Sequence, residues 1–440
     1  MKRGIRRILL TAALASLFVL TGCTLGSNVE SLFTLPQLPE DYRDLSTTLE
    51  GLLDEGHTYL TPTDGPNIES VQMVDLDGDG QKEAVALMRH SGDRKPLKVM
   101  IFQQLNGRFE CFCTVEHAGA GVDSIDYCDL TGDGTAELII GWRSEEGQQT
   151  LSLCRIEQES VPLLESEYSE YLLQDLVGDG IPGLLLLREN REAAGESPCV
   201  AEYYTWRNES ARLHQTCPID SDMEAIRRGS VVNGLLSNGV PAVFITSVQE
   251  KNIAKTDVLL NTGEELLNIA QDSGTYRYCR LKPQDIDGDG SIEVPYPLRE
   301  SGAGDTAVWS DGLIGWARYN ARGEMEKVAE TYHCQSYGWY MTWPEEYWDL
   351  ITVSSGDIVS GENCVEFSVQ GEPVAALYSI TNESRESRAQ MGARFIVTRL
   401  PSTIYAGEIY GSQAGNASAK TMLRDNFSLI VNTWDSAGKE

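Results

Sequence analysis

One stretch of the chain, "VDLDGDGQKEAVAL" at 74–87, returns as "CDLTGDGTAELIIG" at 128–141, "QDLVGDGIPGLLLL" at 174–187 and "QDIDGDGSIEVPYP" at 284–297. A worn copy, "NGLLSNGVPAVFIT", stands at 233–246, and the five copies begin 46 to 59 residues apart. Self-similarity of this period constrains the fold more than any other feature, because each copy must be the same structural unit. An apolar run follows every acidic turn, and two further strand-like segments fill each interval. After the first copy these are "LKVMIFQQL" and "RFECFCTVEH"; after the second, "QTLSLCRIEQ" and "VPLLESEY". Four strands in about 50 residues is the arithmetic of a propeller blade, and one such sheet cannot bury both its faces alone. The expected fold is mainly β, with about five four-stranded blades of a β-propeller over 65–334. The competing arrangement is an open β-solenoid or a β-sandwich.

The acidic turns carry the chemistry. In the first copy, Asp75, Asp77 and Asp79 occupy positions 1, 3 and 5 of a loop, and Gly80 permits the sharp bend. Gln81 at position 7 offers a backbone carbonyl, and Glu83 at position 9 a carboxylate from the next strand. Four carboxylates at one point repel one another unless a cation sits between them. Ca2+ takes about six to eight hard oxygens at about 2.3–2.6 Å. A helix–loop–helix calcium site closes with a glutamate at about position 12, where this chain has Ala86, Ile140 and Tyr296. The loop therefore closes early and enters a strand. The bland reading is a tight hairpin, since Asp and Gly are good turn residues.

This pattern resembles the FG-GAP/VCBS repeats of integrin-α-like calcium-binding β-propellers, and the likeness spans roughly 65–334. The resemblance implies structural Ca2+ at Asp75, Asp77, Asp79, Gln81 and Glu83; at Asp129, Thr131, Asp133, Thr135 and Glu137; and at Asp285, Asp287, Asp289, Ser291 and Glu293. Thr131 replaces a carboxylate, so the second site is expected to be weaker. Val177 and Gly183 remove two ligands from the copy at Asp175, and the copy at Gly234 loses nearly all of them. Those two turns are expected to be held by backbone hydrogen bonds alone.

At the N-terminus, Lys2, Arg3, Arg6 and Arg7 precede a 13-residue apolar core at 8–20, which reads as a leader peptide. It ends in "LTGC", which resembles the bacterial lipoprotein box. That resemblance implies cleavage after residue 22, diacylglycerol on Cys23 and attachment to the extracytoplasmic face of the cell membrane. Residues 23–40 read as a tether, and 41–64 as an amphipathic helix and connector with Gly56 as its C-terminal stop. The chain carries 66 acidic against 35 basic residues, a formal charge of −31. Nothing in that balance would neutralise phosphates, which argues against a nucleic-acid partner. Ten cysteines, Cys23 among them, include no CxxC pair, and five scattered histidines show no zinc spacing.

After residue 334 the repeat stops, and 335–440 reads as an α+β domain with strands in "DLITVSS", "CVEFSVQG", "PVAALYSI" and "ARFIVTRL" and a helix at 419–434. "YGWYMTWPEEYW" at 337–348 places Trp339, Trp343 and Trp348 together. They are either core packing or a carbohydrate-stacking platform. Two function classes follow. The favoured one is a calcium-stabilised binding or adhesion-type lipoprotein for a protein or glycan, with no catalytic residue assigned. The other is an extracytoplasmic hydrolase or lyase acting on polysaccharide through paired carboxylates.

Overall fold

The computed structural model describes residues 43–430 except 191–198, 208–209, 220–222, 228–229, 249–252, 271–274, 278–280, 299–310 and 414–415. Cys23, the leader and the tether lie outside the described residues. So does Cys279.

The described strands form six antiparallel sheets in chain order. The first holds Val71–Val74, Glu83–Arg89, Leu97–Leu105 and Arg108–His117, with Thr58–Tyr59 pairing the far end of Glu83–Arg89. The second is Gly121–Cys128, Glu137–Arg143, Gln149–Ile156 and Ser160–Glu167; the third is Glu170–Gln174, Gly183–Glu189, Cys199–Arg207 and Ser210–Ile219. Ser230–Leu235, Pro241–Val248, Ala254–Asn261 and Leu266–Asn268 make the fourth. In each of these four sheets an acidic or worn turn joins the first two strands. The fifth sheet keeps only a bridge, Gln284 to Glu293, before its turn, and continues through Glu293–Pro297, Asp311–Tyr319 and Met325–Cys334.

The fifth sheet does not stop at residue 334. Trp339–Trp343 pairs with Met325–Cys334, and Phe427–Leu429 pairs with Trp339–Trp343. Its ladder therefore runs across the boundary expected from the end of the repeat. The expected helix at 419–434 is shorter: Ala417–Asp425 is helical, started by Asn416, whose side chain accepts from the Ser418 N–H. Past it the chain turns back as a strand. The sixth sheet orders Ile351–Val359, Glu362–Val369, Glu372–Ile380, Ile404–Ile409 and Phe395–Arg399.

Alternation of side chains explains why the sheets stack. In the first sheet, Val85, Leu87, Val99 and Ile101 face one way and pack with Leu138, Ile140 and Trp142 of the second. Ile139, Leu151 and Leu153 leave the other face of the second sheet for Leu184, Leu186 and Trp206 of the third. The series continues through Leu185 and Tyr203 against Val243 and Ile245, and through Phe244 and Val258 against Val294 and Tyr319. It ends with Tyr332, Trp339 and Trp343 against Val365, Phe367 and Leu377 of the sixth sheet. Strands covered on both faces read as continuous apolar runs, which is how "EAVALMR" and "GLLLLRE" appear in the sequence.

The two outer faces are covered differently. Ala84, Ala86, Met88, Met100 and Phe102 pack under the helix Arg43–Asp54, through Leu45 and Leu49. That helix ends where the sequence indicated: Gly56 has φ 98°, His57 N–H donates to the Leu52 carbonyl over 3.1 Å, and Gly56 N–H to Leu53 over 3.0 Å. This is the hydrogen-bond pattern of a glycine-terminated helix. The outer face of the sixth sheet, with Tyr378, Ile380 and Ile404, packs on Ala389. Among the described residues no apolar cluster joins the first sheet to the fifth or sixth. No described helix is long and apolar enough to cross a membrane.

Candidate metal centre

Four of the five hairpins are set by one group of bonds. Asp75 takes the Gly78 N–H on Oδ1 at 2.8 Å and the Gly80 N–H on Oδ2 at 3.1 Å. Asp129, Asp175 and Asp285 repeat this with their own glycines over 2.6–2.9 Å. Both glycines are left-handed in each case, with φ of 73° and 86° in the first hairpin, a conformation that suits glycine. Position 5 adds an aspartate turn: Asp79, Asp133, Asp179 and Asp289 accept from the N–H groups of Gln81, Thr135, Ile181 and Ser291. Position 9 closes the loop from the next strand. Glu83, Glu137 and Glu293 each turn Oε2 to a backbone N–H near the start of the loop, those of Leu76, Leu130 and Ile286, at 2.8, 2.8 and 3.0 Å. These bonds fix the turn, and the uncompensated negative charge is what remains.

The charge is disposed differently from hairpin to hairpin. In the first, Asp75, Asp77 and Glu83 bring carboxylate oxygens within 4.8 Å of one another. Asp79 instead folds back on Gln81, accepting from its Nε2 at 3.1 Å. Burial, then Asp77 and Asp79, hold the Glu83 carboxyl above the usual range despite the Leu76 N–H. In the fifth hairpin Asp285, Asp287 and Asp289 converge within the same limit. Glu293 beside them is wholly buried, and its Oε1 has no hydrogen-bond partner among the described residues. Burial together with Asp287, Asp289 and Asp285 pushes this carboxyl up to about 7, against the Ile286 N–H. An orphaned carboxylate oxygen next to three aspartates is costly unless something positive arrives. Arg318 supplies part of that at the rim, 2.8 Å from Asp289 Oδ2.

The second hairpin neutralises itself more fully. Thr131 Oγ1 donates toward Glu137 Oε1 at 3.4 Å, and Arg155 Nε stands 4.0 Å from the same oxygen. Its acids, Asp129, Asp133 and Glu137, do not gather into a trio like the other two.

At the third hairpin the expectation of backbone bonds alone is wrong. Asp175 and Asp179 keep their side-chain bonds, and a tyrosine replaces the missing glutamate. Tyr203 Oη accepts the Leu176 N–H at 3.0 Å and donates to the Gln174 carbonyl at 2.9 Å. The phenol occupies the space left by Gly183, where a Cβ would lie 2.4 Å from Oη. Burial pushes Asp175 up, but the N–H groups of Gly180, Gly178 and Val177 outweigh it and hold the carboxyl below its usual range. None of this loop's side-chain polar atoms is both buried and without a partner among the described residues. The fourth hairpin does rely on the backbone: Gly239 to Leu236 at 2.8 Å, Leu236 to Val240 at 2.9 Å, and Ser237 to the Tyr319 carbonyl of the next sheet at 3.0 Å.

Tyr203, Arg155 and Arg318 were not visible as site residues in the sequence. Only the glycine at position 9 signalled that a neighbour must fill the space. The tryptophan platform is also corrected: Trp339 and Trp343 are core residues, 0% and 4% exposed. Trp339 Nε1 donates to Ser379 Oγ, and Trp343 packs edge-on to Phe367. Trp348 is partly buried, tied by Nε1 to the Trp343 carbonyl with Lys327 over its ring. Two indoles sealed between sheets leave no stacking surface for a sugar.

No family model matches the chain, and no curated protein matches it. Among solved structures, Sqt1 of Chaetomium thermophilum is 9% identical with a TM-score of 0.27, covering 76% of this chain and 93% of that one. An exo-beta-1,3-galactanase of Phanerochaete chrysosporium is 8% identical with a TM-score of 0.26, covering 73% and 79%. MPT-4, a mannose phosphorylase of Leishmania mexicana, is 10% identical with a TM-score of 0.22, covering 58% and 83%.

Proposed function

We propose that the chain is a lipid-anchored, extracytoplasmic binding or adhesion-type protein for a protein or glycan ligand, stabilised by calcium in its acidic hairpins. Cys23 carries the anchor in this reading. The first five sheets are propeller-type blades, with the helix Arg43–Asp54 on the face that a closing blade would cover. The observation that carries the metal assignment is Glu293: a buried carboxylate with one oxygen unanswered beside Asp285, Asp287 and Asp289. That donor set is all hard oxygen, the chemistry Ca2+ takes. Asp75, Asp77 and Glu83 offer the same at the first hairpin. Because hydrogen bonds already shape both turns, the cation's role is to cancel charge in a preformed loop. At tenfold saturation each site adds about 1.4 kcal/mol by mass action.

The test is thermal melting of the intact chain with calcium and with EGTA, followed by a glycan and surface-protein binding screen under both conditions. Calcium is expected to raise the melting temperature by a few degrees and EGTA to reverse it. An identical melt in both buffers sinks the metal reading. Ligands retained only with calcium would tie the binding face to the hairpins.

A further inference from the structure

Away from the hairpins, the fold brings together two histidines that no sequence spacing links. Thr58 pairs with Arg89 and Tyr59 with Met88, so one step back along that antiparallel ladder places His57 opposite His90. Residues opposite each other share a face of the sheet. The two imidazole centres lie 4.8 Å apart, with their planes tilted by 38°. His57 follows the glycine-terminated end of the helix Arg43–Asp54, and His90 follows the strand Glu83–Arg89. Glycines on either side make the room. A Cβ on Gly56 would lie 3.7 Å from His90 Nε2, and one on Gly92 3.3 Å from His90 Cε1.

Both rings have their tautomer set. His57 Nδ1 stands 3.1 Å from the Leu52 carbonyl, and a carbonyl only accepts, so Nδ1 carries the proton. His90 Nδ1 is 3.1 Å from Asp93 Oδ1, and Lys98 Nζ steadies that acid from 2.8 Å at its other oxygen. Each Nε2 keeps its lone pair. Neither Nε2 is sealed in the interior, and neither is bonded to a described residue. An imidazole whose Nδ1–H is held by a carbonyl or a carboxylate is one oriented to offer Nε2 to a metal. Two such rings on one tetrahedral Zn2+, at about 2.0–2.1 Å each, set their centres roughly 5 Å apart.

We propose that His57 and His90 form a two-imidazole site for a borderline transition-metal ion, Zn2+ or Ni2+, with water in the remaining positions. Its donors set it apart from the acidic hairpins, since imidazole suits Zn2+ and Ni2+ whereas carboxylate and carbonyl oxygens suit Ca2+. The site does not depend on calcium. The Leu52 carbonyl and Asp93 are its positioning groups. Because one ligand leaves the helix and the other ends a sheet strand, an ion held there fastens the helix to the first sheet.

The experiment follows the histidine ring protons of the intact chain by NMR, with Zn2+ as the probe of shifts and Ni2+ as the probe of paramagnetic broadening, in excess calcium. Zn2+ is expected to shift the Hε1 signals of His57 and His90 with one shared midpoint, and Ni2+ to broaden both. His333, with both ring nitrogens buried, stays unmoved. His57→Gln and His90→Gln each leave a single imidazole, and Zn2+ should bind it about a hundredfold more weakly, since two linked contacts exceed one by that order. Asp93→Asn keeps both ligands and should weaken binding about tenfold. Zn2+ should raise the melting temperature of the parent and of neither glutamine variant. If a glutamine variant fails to fold, the shared midpoint and the Ni2+ broadening in the parent decide. Ring signals that ignore both metals overturn the site. So does a midpoint equal in the parent and in either glutamine variant, which would make each histidine a lone adventitious ligand.

Discussion

The hairpins at 285–293 and 175–183 have the same backbone and opposite electrostatics. In both, an aspartate at position 1 takes two glycine N–H groups, and one at position 5 takes the N–H two residues on. In the fifth, three aspartates surround a buried glutamate with an unanswered oxygen. In the third, a tyrosine hydroxyl does the glutamate's mechanical work without its charge. Turn shape and local charge are therefore separable. The first comes from Asp–Gly bonds shared by both loops, the second from acids that only one retains.

The largest expected effect attacks the tyrosine solution. Gly183→Ala drives a Cβ into Tyr203 Oη, an overpacking that should cost about 3 kcal/mol, equally with calcium and with EGTA, read by denaturant melts. Tyr203→Phe removes the acceptor of the Leu176 N–H and strands the Gln174 carbonyl, at a cost of about 2 kcal/mol. A calcium-dependent loss in either variant would break the comparison, because it would mean that the third hairpin binds a cation after all.

Glu293→Gln should act in the opposite way, with a sign that depends on the metal. Without calcium it replaces a poorly tolerated buried carboxylate and is neutral or stabilising. With calcium it loses a ligand, and affinity at that site falls about tenfold, or about 1.4 kcal/mol, by calorimetric titration. The pH dependence follows. Because the folded carboxyl is pushed up to about 7, its stabilising share in the calcium-free protein is full below the unfolded value of about 4.3 and is lost as pH climbs through 7. Calcium must displace that proton, so affinity at the fifth hairpin should weaken as pH drops below about 7. His333 supplies a background of the opposite sense. Burial holds this histidine down to about 3, so its contribution is full above about 6.5 and disappears as pH falls towards 3. His333→Phe should flatten that acid limb without touching the calcium response. The smallest effect belongs to the second hairpin: Thr131→Asp restores a carboxylate and should tighten its filling only a few-fold, since Arg155 remains beside Glu137.

Much of the fold could be read from the residues, for a local reason. A hairpin's acids, glycines and flanking strands lie within a few dozen residues, so "LKVMIFQQL" and "RFECFCTVEH" coincide with Leu97–Leu105 and Arg108–His117. Partners that meet only through the stacked sheets were not legible. Tyr203 lies 27 residues past Leu176, and Arg318 lies 29 past Asp289. Neither has a local pattern linking it to its hairpin. The same limit hid the fate of residues 427–429, whose apolar run reads as the continuation of a helix until its distant partner strand is known. The aromatic run at 337–348 was ambiguous because an indole looks the same in a sequence whether a sheet or a sugar will cover it.

That distant partner has a consequence for the order of assembly. Apart from Thr58–Tyr59, which lies ahead of its partner Glu83–Arg89, the first four sheets pair strands that are consecutive in the chain, so each can form as soon as its last strand has been made, with little loop closure to wait for. The fifth cannot. Its edge strand Trp339–Trp343 stays bare while more than eighty residues follow, until Phe427–Leu429 docks on it. A nascent chain thus carries an exposed, tryptophan-rich strand edge for the whole synthesis of the sixth sheet, and an unpaired edge of that kind recruits other chains. Truncation before residue 427 would make the transient permanent, and aggregation rather than simple loss of stability is the failure to look for.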